Sequence, residues 1–197
     1  MTDETTTDDT PEGRRSRLLS LLRRLALEEG DFELSSGGSA SVYVDVRQVS
    51  LTAPGAHLIG QSIWEKIRQV DPEARAVGGL TLGADPIVTA TSLAALADDY
   101  ELSGILVRKA SKEHGTGERV EAPAILSHGD RVVAVEDTVT TGNSTLEAIE
   151  QMRQAGFDIE HAVCVVDREA GGADNLAEAG VALHSIFTLS DLLNEAE

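Results

Sequence analysis

Residues 131–145 read RVVAVEDTVTTGNST and hold the densest run of chemically useful side chains in the sequence. An apolar strand runs into two adjacent carboxylates, Glu136 and Asp137. A hydroxyl- and glycine-rich turn follows, Thr138, Val139, Thr140, Thr141 and Gly142, and then a helix opening at Asn143 and Ser144. Turn amides and hydroxyls aimed from a helix N-terminus form a cradle for phosphate. Carboxylates at the strand end can grip polyol hydroxyls or a hydrated Mg²⁺ beside that phosphate. There is no Gly-Lys-Ser/Thr of a Walker loop and no GxGxxG fingerprint. A plainer reading, an acidic strand end with a Thr/Asn helix cap, uses the same residues. The order of strand, acidic pair, Thr-Thr-Gly and Ser favours the phosphate.

A second run places Arg108, Lys109, Lys112 and His114 within seven positions, ahead of Gly115 and Gly117. Clustered cations repel unless a polyanion gathers them, and a diphosphate is the simplest such partner. Arg offers a fork, Lys a point charge and His a proton that moves near neutrality. The glycines let such a loop open and close. A solvated surface loop is the alternative, but the chain has three lysines in all, Lys66, Lys109 and Lys112, and two fall here. Arg168, after an apolar strand, could meet a carboxylate or form an exposed ion pair. Tyr43 and Val44 close a run with hairpin character.

Positioning these groups requires alternating strands and helices. The periodicity predicts helices over 14–28, 54–69, 84–98, 143–155 and 189–194. Strands are expected over 74–79, 102–107, 131–135, 159–166 and 181–187, with a hairpin over 32–47 and a long loop over 109–121. Residues 1–13 read as a disordered acidic tail, and 14–197 as a single domain whose first part, about 14–50, forms a small hood. The expected class is α/β: a central, mainly parallel sheet flanked by helices, with ligands at the strand carboxyl ends.

The chain has 197 residues, with 16 basic against 34 acidic side chains and a net charge of −18. So negative a surface argues against nucleic acid or an anionic membrane as partner. No apolar run approaches a membrane span, and the acidic start is unlike a signal peptide, so a cytoplasmic location is expected. The single cysteine, Cys164, excludes an internal disulfide. Dense carboxylates with few lysines suit a salt-saturated cytoplasm, as in halophilic archaea.

The segment VEDTVTTGNS resembles the phosphoribosyl-diphosphate (PRPP) signature of type I phosphoribosyltransferases. The Arg108-Lys109-x-x-Lys112-x-His114 string is similar to the mobile loop of orotate phosphoribosyltransferases. This resemblance, covering nearly everything from Arg14 onward, implies a reaction of pyrimidine (UMP) biosynthesis. Orotate and PRPP would give orotidine 5′-monophosphate and diphosphate, with Mg²⁺, in a homodimer with shared sites. By resemblance, Glu136 and Asp137 contact the ribose, and residues Thr138 to Ser144 the 5-phosphate. Arg108, Lys109, Lys112 and His114 bind diphosphate, with Arg108, Lys112, His114 and Asp137 catalytic. Thr140, Arg168, Tyr43 and Val44 contact orotate. The metal is held mainly through substrate and water, with Glu136 and Asp137 as the protein oxygens on offer. Ser35 and Gly83 stand where lysines are often found. Transfer to another base is the alternative, or PRPP sensing by a transcription regulator. The latter needs a DNA-reading helix-turn-helix, whereas the basic helix at Arg14, Arg15, Arg17, Arg23 and Arg24 has no second helix before the hood.

Overall fold

The computed structural model describes residues 10–33, 39–109 and 119–194. The first helix, α1 (Pro11–Leu25), is capped by the Thr10 hydroxyl, which accepts from Gly13 N at 3.1 Å, with Pro11 at its head. It therefore begins three residues earlier than the periodicity predicts. It also stops earlier, because Leu27 already pairs with Val44 in a hairpin. That hairpin joins β1 (Leu27–Glu33) and β2 (Ser39–Val44) antiparallel and leads through α2 (Arg47–Ser50) into α3 (Ala53–Val70). Thr52 caps α3, accepting from Gly55 N. Its Leu58, Ile59, Ile63 and Ile67 recur on one face and are buried. Truncating one of them, such as Ile63→Ala, costs about 2–5 kcal/mol at such a site.

The remaining elements are β3 (Ala76–Leu80), α4 (Ala84–Ala97), β4 (Ser103–Val107), β5 (Val120–Glu121) and β6 (Val132–Val139). After them come α5 (Asn143–Gln154), β7 (His161–Asp167), α6 (Gly172–Glu178), β8 (Ala182–Thr188) and α7 (Leu189–Leu193). The sheet order is β5-β4-β3-β6-β7-β8, parallel throughout except for β5 at one edge. One core lies between the sheet and α1, α3 and α4, the other between the sheet and α5 and α6. Three elements escape the periodicity: α2, β5 and α6 are four, two and seven residues long, too short to display it. Strand β6 also continues four residues past its expected end, taking Glu136 to Val139 into the sheet.

The arginines of α1 are largely engaged within the chain. Arg14 pairs with Glu65, and Arg15 reaches Asp191 at 3.2 Å while lying over the Phe187 ring. Arg23 donates to the Leu192 and Asp191 carbonyls, closing the end of α7. Arg17 and Arg24 are exposed. Elsewhere Cys164 is buried, and Trp64 packs on α3 with its indole N–H donated to Asp98 at 2.8 Å.

From β3 the chain crosses to β4 on one side and later to β6 on the other. The crevice between β3 and β6 is therefore where the strand order reverses, and there a parallel sheet opens at its carboxyl edge to hold a ligand.

Candidate active site

A cavity of about 500 Å³ occupies that crevice. Its floor is Glu136, Asp137 and Thr138 from the end of β6, with Thr140 and Ser144 beyond them. One wall is the turn after β3, Leu80 to Gly83, in which the peptide joining Thr81 and Leu82 is cis. The hood supplies Tyr43, Val44, Asp45 and Arg47, while Lys109 and Arg168 enter from the ends of β4 and β7.

Glu136 is 6% exposed. One oxygen faces the Thr145 hydroxyl at 3.5 Å, and the other accepts from Asp137 N at 3.3 Å. Burial, followed by the charge of Asp137, pushes its carboxyl up to about 8. Asp137 is raised as well, chiefly by burial, although the Thr138 N–H at 2.7 Å and the Arg47 charge pull the other way. Two desolvated carboxyls in one corner thus share a need for a cation or for hydroxyl donors, with Glu136 the better place for a proton. Thr138 Oγ1, in the same floor, is buried without a hydrogen-bond partner.

Gly83, one departure from the family pattern, lies against this floor. A Cβ at this position would lie 2.8 Å from the Asp137 carboxyl carbon and 2.9 Å from its oxygens, so a side chain here requires that carboxylate to shift.

The phosphate-loop candidates surround the head of α5. Gly142, at φ +79, adopts the left-handed conformation that turns the chain from β6 into the helix. The first-turn amides behind it have no intrahelical acceptor. Helix α6 braces this turn from below: Asn175 Nδ2 donates to Thr141 O at 2.8 Å, and Gly172 packs against Val139 and Thr140. Thr140 and Ser144 line the cavity, whereas Thr141 and Asn143 lie exposed on the rim. Val139 sends its side chain into the core, so its backbone alone is available; its carbonyl accepts from Arg168 N at 2.8 Å.

The cationic run divides. Lys109 reaches the cavity, while Arg108 turns to Glu121 of β5, Nε to Oε1 at 3.0 Å, and does not line it. Lys112 and His114 lie outside the described residues, as does Ser35. Arg119 steadies the base of the run by donating to the Arg108 and Lys109 carbonyls at 2.8 and 2.7 Å. Arg168 extends across to the hood, donating from Nη2 to Val42 O at 3.0 Å. Tyr43 is 38% exposed at the cavity, and Val44 is buried behind it.

Asp45 and Arg47 were not singled out by sequence reasoning. Their signal is the Asp-x-Arg spacing after Tyr43-Val44, which here closes a bidentate pair, Nε to Oδ1 at 2.8 Å and Nη2 to Oδ2 at 3.1 Å. That pairing holds the Asp45 carboxyl below its ordinary value.

Among the described residues no cluster of three or more His, Cys, Asp or Glu could cage a metal ion. The two hard oxygen donors at Glu136 and Asp137 do fit Mg²⁺, which keeps several waters and leans on substrate phosphates. No helix among the described residues is long and apolar enough to cross a membrane.

Comparison with known proteins agrees with this geometry. A phosphoribosyl transferase domain matches residues 54–183. An orotate phosphoribosyltransferase of Thermosynechococcus vestitus is 42% identical over 185 residues, 94% of this chain and 96% of its own. The Mycobacterium tuberculosis H37Rv orotate phosphoribosyltransferase, solved with Fe(III) dicitrate, superposes with a TM-score of 0.79 at 38% identity, covering 92% of this chain and 99% of that one. Its structure with PRPP superposes with a TM-score of 0.74 at 35% identity over 91% and 98%. A switch-point cavity with an acidic floor and a glycine turn heading a helix, in a chain this similar to those enzymes, makes it a member of the orotate phosphoribosyltransferase family of pentosyltransferases.

Proposed function

We infer that this chain transfers the 5-phosphoribosyl group of PRPP to orotate, giving orotidine 5′-monophosphate and diphosphate on the route to UMP. The observation that carries the reading is the buried Glu136–Asp137 pair beside the head of α5. One end suits a ribose diol and the other its 5-phosphate.

In the reaction, the bond from C1 of the ribose to the diphosphate oxygen breaks, and its electron pair leaves with diphosphate. The pyrimidine nitrogen of orotate supplies the pair for the new C–N bond and gives up its N–H proton to the departing diphosphate or to water, so no covalent protein intermediate is required. Asp137 and Glu136 hold the ribose hydroxyls as charge develops on the ring. Thr138, Thr140, Thr141, Gly142, Asn143 and Ser144 hold the 5-phosphate, with Val139 contributing backbone. Lys109, Lys112, His114 and Arg108 gather the departing charge, Arg108 by exchanging Glu121 for diphosphate. Arg168 and Thr140 meet orotate, with Tyr43 and Val44 along its ring. Mg²⁺, when bound, would neutralise diphosphate charge, held by substrate and water with Glu136 or Asp137 as protein ligand.

The PRPP complex of the M. tuberculosis relative supports the donor. A homodimer with shared sites agrees with the exposure of Leu93 and Leu96 on α4, 63% and 58%, beside a groove between α3 and α4 lined by alanines together with Arg14, Glu65 and Asp98. The acidic, lysine-poor composition supports a cytoplasm of high salt and an origin in a halophilic archaeon. Loss of orotate absorbance with PRPP and Mg²⁺ in molar KCl tests the reaction. Turnover with orotate and none with uracil, adenine or hypoxanthine is expected; preference for another base would overturn the acceptor.

A further inference from the structure

We propose that Arg47 is a donor-binding residue that grips the diphosphate of the phosphoribosyl donor from the hood side of the cavity, an inference resting on the transfer reaction above.

Arg47 opens α2 and is clamped in plane by Asp45, which also accepts from its backbone N–H at 3.1 Å and from Gln48 Nε2 at 3.2 Å. The clamp uses two of the five guanidinium N–H groups and leaves the rest of the fork unclaimed by Asp45. The side chain is 46% exposed and lines the cavity, and its charge is felt at Asp137.

The turn after β3 brings no side-chain cation to the cavity, being lined there by Leu80, Thr81, Leu82 and Gly83. Gly83 abuts the Asp137 carboxylate so closely that even a methyl group would sit 2.8 Å away. Of the other basic residues lining the cavity among those described, Lys109 comes from the end of β4, and Arg168 is turned to Val42 O. The 5-phosphate loop lies past the acidic pair, at Thr140 and Ser144. An anion carried on the hood side of the ribose, away from that loop, therefore meets Arg47. A planar fork already held by a carboxylate binds two phosphate oxygens with little further ordering. Asp45 sets the orientation and so acts as a positioning residue.

The test compares wild type with Arg47→Ala, Arg47→Lys and Asp45→Asn in steady-state kinetics and in product inhibition by inorganic diphosphate. The expectation for Arg47→Ala is a roughly tenfold or greater rise in the PRPP KM and in the diphosphate inhibition constant, with the orotate KM within about twofold. Arg47→Lys should restore part of the loss, because it keeps charge without the fork. Asp45→Asn should raise the PRPP KM by a smaller factor. Unchanged PRPP and diphosphate constants, or a rise confined to orotate, would overturn the assignment. Should Arg47→Ala fail to fold by thermal melting, the Lys and Asn variants decide by the same constants. Wild type inactive with orotate would defeat the transfer reading itself; active wild type with unaffected variants would defeat Arg47 alone.

Discussion

Glu136 and Asp137 lie in the second half of the central strand β6, inside the sheet and largely shielded from water, whereas Tyr43, Asp45 and Arg47 belong to a two-stranded hairpin and a four-residue helix at its margin. The floor sets two acids side by side on a strand paired with β7, where burial favours a proton on Glu136. The hood holds opposite charges together in partial contact with solvent, joined to the floor through Arg168 and Val42. Rigid, desolvated acids suit a group that must be gripped identically through the reaction. A half-exposed, replaceable ion pair suits a group that arrives and departs. On the proposed reaction, the difference between the two walls would divide holding the sugar from handling its leaving group and acceptor.

The largest effects are expected at the floor. Asp137→Asn keeps shape and removes charge, and should lower kcat/KM for PRPP about a hundredfold to a thousandfold without loss of thermal stability. A change of less than about fivefold would remove Asp137 from the ribose contact. Gly83→Ala presses a methyl group into the same carboxylate and should cost roughly tenfold in kcat/KM. Activity equal to wild type would mean that the turn after β3 relaxes freely.

At the seam between the two walls, Arg168→Ala removes the Nη2 bond to Val42. The expected outcome is a raised orotate KM together with faster amide exchange in β2, where a bond of this kind contributes about 1–3 kcal/mol. A raised KM with unchanged exchange would separate orotate binding from support of the hood.

The smallest effect concerns pH. Between the ordinary carboxyl range and about 8, native Glu136 retains a proton that the unfolded chain has lost, so this group makes stability fall as pH rises through that window. Glu136→Gln should therefore flatten the fall, with a melting-temperature advantage of a few degrees that grows from pH 5 to pH 8. Parallel curves for the two proteins would show that Glu136 is ionised throughout.

How far each wall could be read from sequence follows the same division. Glu136 to Ser144 forms one continuous segment in which strand, turn and helix head succeed each other, so local rules suffice to place acids beside a phosphate loop. Even there the strand runs through the acids rather than stopping before them, because pairing with β7 continues to Val139 and Asp167. The parallel sheet and its long helices were likewise legible from period alone. Arg47 was less so: its Asp-x-Arg spacing is short and common, and its position matters because folding brings Asp137 to the same cavity. Helix α6 was invisible for the same reason, with Gly172 and Asn175 acquiring meaning through the turn they support. Arg108 shows the reverse, a residue marked by its neighbours in sequence that the fold pairs with Glu121.

The most direct measurement is a crystal structure of the protein with PRPP and Mg²⁺. Ribose hydroxyls are expected within hydrogen-bond distance of Asp137 and Glu136, with the 5-phosphate at the amides of residues 140–144. PRPP bound with its ribose away from the acidic pair, or with its 5-phosphate outside that loop, would contradict it.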